Sequence, residues 1–198
     1  MESFKKHPRY QRHVIDMALQ HKTMTPQFNL KIGDTTLKLA ELSDADFILE
    51  LRTDEALNTY ISKTDTDVSA QLEWLANYKK LEATNEEYYF IVKYQSVPVG
   101  TIRLYDFKDE AFCIGSWIIK KGTPHFASIA SFILAYQAAF ETLKFKTANL
   151  DVRKGNKKVI QFHNRWGAVP LREDDLNVYF TLSYYDYSKN VGKFRRFT

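Results

Sequence analysis

Asp151-Val152-Arg153-Lys154-Gly155-Asn156-Lys157-Lys158-Val159-Ile160-Gln161-Phe162-His163-Asn164-Arg165-Trp166-Gly167-Ala168 is the stretch on which the fold turns. It reads as the end of a strand, a basic glycine turn, a helix and a stop. Asn156 is a favoured N-cap residue, and Gly167 supplies the left-handed conformation that ends many helices. Val159, Ile160, His163 and Trp166 fall at helical spacing on one face, so that face, with His163 on it, is expected to point inward.

Upstream, the pattern alternates between strands and helices. Thr36–Ala40 reads as a short strand, and Ser43 as the cap of a helix whose third position is Asp46 and whose buried face is Phe47, Ile48 and Leu51. Val68, Leu72 and Leu75 mark a second helix, with Trp74 beside them. Three strand-like runs follow, Tyr88–Tyr94, Val99–Asp106 and Phe112–Ile119. The short, turn-like link Gln95-Ser96-Val97-Pro98 argues for an antiparallel hairpin. A long apolar helix is expected from Phe126 to about Lys144, a strand over Thr147–Val152, and two last strands around Ala168–Leu171 and Leu176–Tyr187. Hairpin and crossover links in one chain imply a mixed sheet covered by helices, an α/β (α+β) domain of three layers.

The composition bounds the function. At 198 residues and 44% hydrophobic, the chain is expected to form one domain with a full core. The single Cys113 excludes a disulfide framework within the chain and any multi-cysteine zinc site, and fits a reducing, cytoplasmic home. A net charge of +4 suits an anionic ligand and falls short of a nucleic-acid-binding signature. No uninterrupted apolar segment resembles a secretory signal, and the uncharged run Phe126–Phe140 is too short and too polar to span a bilayer. Residues 1–35 are a basic extension, in which residues 1–23 carry five basic against two acidic side chains and His7, His13 and His21 without metal-ligand spacing. They read as a solvated arm or a dimer contact, which leaves a homodimer open. Residues 191–198 read as a basic, solvated tail. No Walker loop, dinucleotide fingerprint or carboxylate–histidine metal constellation occurs, so no metal is expected.

A second informative stretch is Phe112-Cys113-Ile114-Gly115-Ser116-Trp117-Ile118-Ile119-Lys120, a strand that runs through a loop into the long helix. Such a junction offers unpaired backbone N–H groups and the positive end of a helix dipole to a phosphate. Lys120, Lys121 and His125 add positive charge there.

Together these segments resemble the GNAT superfamily of acyl-CoA-dependent N-acetyltransferases. Val152, Asn156, Ile160, His163, Gly167 and Ala168 are similar to the family pattern V-x-x-x-N-x-x-S/A-I-x-x-Y-x-x-x-G-F/A. Ile114-Gly115-Ser116-Trp117-Ile118 resembles the I-G-Y-W-I strand of the branch that holds the ribosomal-protein N-terminal acetyltransferases, and Val99-Gly100-Thr101-Ile102 resembles the I-G-x-I strand. The order of elements matches along roughly residues 36–187, and residues 36–190 are expected to form the domain.

The resemblance implies a splayed sheet gripping acetyl-CoA as cosubstrate, with direct transfer of the acetyl group to a primary amine. Backbone groups at Trp117, Ile118 and Ile119 would hold the pantetheine arm. Lys120, Lys121, His125, Ala127 and Ser128 would receive the pyrophosphate, and Asn156 would contact the cofactor. The family loop Q/R-x-x-G-x-G/A is altered, because Pro124 and Phe126 stand near its glycine positions, and proline has no N–H. His163 occupies the place of a tyrosine that protonates the leaving thiolate. It reads either as that general acid or as a buried core histidine. Asp106, Glu50 and Glu87 are unranked candidates for the base, and Cys113 is expected to be a buried small hydrophobe rather than a nucleophile. Arg103 and Tyr105 alternate with Ile102 and Leu104, and Arg103 is a candidate for holding an anionic substrate group. The aromatic run Tyr179 to Tyr187 reads as strand packing. The acceptor is expected to be a small-molecule amine, with a nucleotide-linked amino sugar preferred. Protein N-terminal acetylation and a non-catalytic scaffold with an impaired cofactor loop are the alternatives.

Overall fold

The structure, a computed structural model, describes residues 26–195. The basic arm over residues 1–23 and its three histidines lie outside the described residues, as do residues 196–198. Eight strands form one sheet in the order β1-β2-β3-β4-β5-β6-β8-β7. The strands are β1 Lys31–Ile32, β2 Thr35–Leu39, β3 Tyr88–Tyr94, β4 Val97–Lys108, β5 Ala111–Ile119, β6 Thr147–Arg153, β7 Val169–Glu173 and β8 Asn177–Ser183. Every neighbouring pair is antiparallel except β5 and β6. That one parallel pair needs a crossover, which helix α3 (His125–Tyr136) and a wider π-helical extension, Gln137–Thr142, provide.

Strand β3 shows why there are three layers. Tyr88, Phe90 and Val92 point into the larger core with Ile133, Leu134 and Ala148. Tyr89 and Ile91 point the other way, onto Ile48 of α1 (Ala45–Thr53) and Leu75 and Tyr78 of α2 (Val68–Ala83). A strand buried on both faces reads as a continuous apolar run, as Tyr88–Val92 does. The link between β3 and β4 is the expected hairpin, with Gln95 and Ser96 both at positive φ in the manner of a type I′ turn.

Three local expectations are corrected. Ser43 does not cap α1. A 3₁₀ turn, Leu42–Asp44, precedes the helix, and the Glu41 N–H donates to the Asp44 carboxylate at 2.8 Å. The apolar helix is α-helical only to Tyr136 before it widens. The last strand stops at Ser183, and Tyr184–Arg195 is a helix, α5. Ser183 Oγ accepts from the Asp186 N–H at 3.1 Å and donates to its carboxylate at 2.6 Å, which starts the helix. Tyr187 is buried in the core and Phe194 stacks on Trp166 at 4.1 Å, so the residues from 191 to 194, read as part of a tail, are helical, with Val191 and Phe194 packed on the core and Gly192 and Lys193 exposed.

Candidate active site

The two parallel strands stay together for only three residue pairs, Ala111–Cys113 against Thr147–Asn149. Beyond them β5 and β6 diverge, and the edge of β5 from Ile114 to Ile119 that faces β6 has no strand partner. A bulge at Ser116 helps to turn the strand away. Ser116 sits at φ 47°, one extra residue opposes β4, and the Thr101 hydroxyl donates to the Ser116 carbonyl at 2.8 Å. Gly115 lets the Tyr105 ring come close, since a Cβ there would lie 3.1 Å from that ring and would make it shift.

Both diverging strands end in helix N-termini at the open end of the splay, β5 through a loop into α3 and β6 through a turn into α4 (Lys157–Arg165). This is the place where open α/β sheets bind ligands. The Trp117 side chain is structural: its Nε1–H donates to Ser131 Oγ at 3.1 Å, and its ring lies against Phe132 and Phe162. Ile118 is buried and Ile119 packs against the main core, so both offer only backbone to the splay. The Lys120 N–H donates to Val99 O at 2.8 Å, while its ammonium turns to α1 and pairs with Glu50 at 2.7 Å. Lys121 and His125 are exposed.

Pro124 serves as the N-cap, and its carbonyl accepts from Ala127 N–H at 2.9 Å and Ser128 N–H at 3.4 Å. Those two amides, expected to face a phosphate, are therefore turned inside the helix. Among the described residues, the N–H groups of His125 and Phe126 have no acceptor, so the unpaired donors are those of the first two residues of α3. Asn156 caps α4 by accepting from Val159 N–H at 3.3 Å, which leaves its amide NH₂ toward other partners.

His163 is 6% exposed, ringed by Phe132, Phe162 and Phe180, and its Nδ1 has no hydrogen-bond partner. Burial pulls its pKa down to about 4, so the ring is neutral at pH 7. It lines neither of the two cavities on the opposite sheet face. Arg103 does line both, but a bidentate pair with buried Glu87, both contacts 2.5 Å, already matches its charge. Its guanidinium is also held over Tyr105 at 4.7 Å and Trp74 at 5.1 Å. The three candidate bases are all paired, Glu87 as above, Glu50 with Lys120 and Asp106 with Lys108 at 2.8 Å, and none lines a cavity. The Cys113 thiol is pushed up to about 11, by burial first and then by Asp106, so it is no nucleophile at neutral pH.

The cavities, about 380 and 270 Å³, form neighbouring lobes that share Arg52, Ser62, Arg103 and Ser116. One lobe lies over Trp74, Tyr89 and Gln71. The other reaches the splay at Ile114 and Gly115, where Tyr105, Asp151 and Arg153 line it. Arg52 ties down the segment between α1 and α2 through Thr64 Oγ1 at 2.6 Å and Ser62 Oγ at 3.0 Å. Sequence reasoning missed Arg52, Tyr60, Trp74 and Asp151 as lining residues. Asp151 had a signal: Ala148, Leu150 and Val152 are the buried side of β6, and strand alternation puts Asp151 on the other face. Burial, then Asp151, pushes the Tyr105 phenol up to about 12, so it stays a hydrogen-bond donor at neutral pH. Among the described residues no cluster of His, Cys, Asp and Glu fits a metal, and no helix is long and apolar enough to cross a membrane.

The family model "Acetyltransferase (GNAT) domain" matches residues 34–169. A search of curated proteins finds no match. Among solved structures, "Apo FdhC- a nucleotide-linked sugar GNAT" is 44% identical, superposes with a TM-score of 0.79, and covers 86% of this chain and 98% of its own. RimJ from Mycobacterium smegmatis, in complex with CoA-disulfide, shares the fold at 13% identity and a TM-score of 0.69, covering 81% of this chain and 90% of its own. Ribosomal-protein-S5-alanine acetyltransferase from Vibrio fischeri does so at 15% and 0.65, covering 79% and 97%. The splayed sheet, the ordered motifs and these matches agree: the chain belongs to the GNAT family and is an acyl-CoA N-acetyltransferase.

Proposed function

We propose that the protein moves the acetyl group of acetyl-CoA to the primary amine of a nucleotide-linked amino sugar. The observation that carries this reading is the 44% identity to a nucleotide-linked sugar GNAT across nearly the whole of that protein. The two-lobed groove supports it, since Arg52 and Arg153 suit a diphosphate and the exposed Trp74 suits an aromatic base. The RimJ and S5-alanine acetyltransferase likenesses, at 13% and 15% identity, speak for the fold alone and do not favour a protein acceptor.

The residues fit the cosubstrate. The unpaired edge of β5 from Ile114 to Ile119 offers backbone groups to a pantetheine arm. The free N–H groups of His125 and Phe126, with exposed Lys121 and the His125 ring, suit its pyrophosphate despite Pro124. Asn156 keeps its NH₂ for the same molecule. Acetyl-CoA supplies an activated thioester carbonyl. The amine nitrogen attacks that carbon, the C–N bond forms, the C–S bond breaks, the proton that the nitrogen sheds as the amide forms is balanced by protonation of the leaving CoA thiolate, and no enzyme acyl intermediate is needed. An alkylammonium must first lose a proton, and the half-open groove at Asp151 gives that proton a way to water.

The test is incubation with acetyl-CoA and either nucleoside-diphosphate-linked amino sugars or N-terminal peptides, read as CoA thiol release and product mass. Acetylation of the sugar nucleotides is expected. Acetylation of peptides alone overturns the proposal.

A further inference from the structure

The groove carries more detail than an acceptor class, because its charges are not equally available. Arg103 is spent on Glu87. Arg52, at the junction of the two lobes, bonds only to neutral oxygens, the hydroxyls of Thr64 and Ser62 and the Ser62 carbonyl. Among the described residues it has no carboxylate partner, so its positive charge is uncompensated. Asp151 is the complementary case. It lines the lobe that opens onto the splay, and among the described residues its carboxylate has neither an ion pair nor a hydrogen bond. Facing it are the Tyr105 phenol and the Cys113 thiol, both neutral at pH 7, with Arg153 and Arg52 along the same wall. The far lobe holds Lys63 and Asp65 together, so no single sign dominates there, and Trp74 remains 39% exposed in it.

Resting on the function proposed above, we infer that the acceptor lies along the groove in one direction: its ammonium on Asp151 beside the splay, its diphosphate on Arg52, its base in the Trp74 lobe. An ammonium recognised by a carboxylate and a diphosphate recognised by a guanidinium are both charge-assisted contacts. The reverse direction would put the amine in the Trp74 lobe, where the carboxylate, Asp65, stands with Lys63 and already accepts from the Asp67 N–H at 3.0 Å. Asp151 and Arg52, rather than the Arg103 that the sequence singled out, then set the specificity.

The test uses an amino-sugar nucleotide that the wild-type protein acetylates, with uridine and thymidine diphosphate as competitors. Loss of one charged contact corresponds to about 10- to 100-fold. Asp151→Asn is expected to lower kcat/KM for the acceptor by that factor while the Ki of the nucleoside diphosphate and the KM for acetyl-CoA stay within about twofold of wild type. Asp151→Glu restores part of the loss. Arg52→Gln raises the nucleoside diphosphate Ki and the acceptor KM together, and Arg52→Lys recovers part of both. Asp151 is exposed, so its variants test the inference even where loss of the Arg52 tie impairs folding. Wild-type acceptor kinetics in Asp151→Asn, or an equal loss of acceptor and competitor, overturns the orientation alone. A wild-type protein that acetylates no sugar nucleotide overturns the function itself, and the orientation falls with it.

Discussion

His163 shows how far one residue can be read from its neighbours in sequence and where that stops. Helical spacing places it on the inward face of α4, and the structure agrees. Its role depends on which rings surround it, and Phe132 and Phe180 come from other elements. Without a polar partner, the imidazole is stable only when neutral. Above pH 6.5 it is neutral folded and unfolded, with no penalty. Between 6.5 and about 4 the unfolded chain takes up a proton that the folded one refuses, so stability falls with pH across that window and not further below it. The loss is about 3 kcal/mol. Urea midpoints measured at pH 7 and pH 4.5 should converge in His163→Phe relative to wild type. Turnover per folded molecule of that variant should stay within about twofold, the behaviour of a packing residue. A tenfold fall in kcat with the acetyl-CoA KM unchanged would instead give His163 the general-acid role. Arg103 teaches the same lesson: its face follows from alternation with Ile102 and Leu104, but its carboxylate partner lies 16 residues away, in the loop just before β3.

Elements were legible where local signals agreed. Strand β6, the Gly155 turn and the Asn156 cap are contiguous and specify one another, and the β3–β4 hairpin follows from a link too short for anything else. Helix α5 was misread because Tyr179 to Tyr187 favours strand by residue type. The competing signal was Ser183 three residues before Asp186, followed by Tyr187, Val191 and Phe194 at helical spacing. The bulge at Ser116 had no sequence signature, since serine is an uncommon occupant of positive φ. Close contact between β4 and β5 at Gly100 yields a direct test. A Cβ there would lie 2.3 Å from the Ile118 carbonyl oxygen, which is backbone and cannot swing aside. Gly100→Ala should destabilise by about 2–4 kcal/mol in thermal or urea unfolding. Gly122→Ala is the control: with φ at +84° and nothing within 4 Å, only left-handed strain of about 1 kcal/mol applies. Equal costs at the two positions would show that the strands separate more easily than the structure implies.

At the scale of the whole molecule, the cosubstrate is the largest available source of extra stability. Acetyl-CoA at 100 times its Kd adds about 2.7 kcal/mol, which for a chain of this length raises the Tm by roughly 5–11 °C. Acetyl-CoA and CoA should both give that shift and ATP at the same concentration should not. Absence of a shift at millimolar ligand would mean that Pro124 and its altered loop have cost the protein its cosubstrate, which would favour the scaffold reading. The fold class and the place of the splay were legible from the order of elements. The groove was not, because Arg52, Ser62, Trp74 and Asp151 come from four separate stretches that only the folded chain brings together. The three-pair seam between β5 and β6 has a mechanical meaning as well. It divides the sheet into two blades that share one hydrophobic core but few strand hydrogen bonds. A thioester-bearing arm laid between them fills the crack, so amide exchange from Ile114 to Ile119 should slow on loading far more than exchange in β3. On that expectation the seam is a fracture line laid down in the topology, and the substrate that the protein activates is also the mortar that seals it.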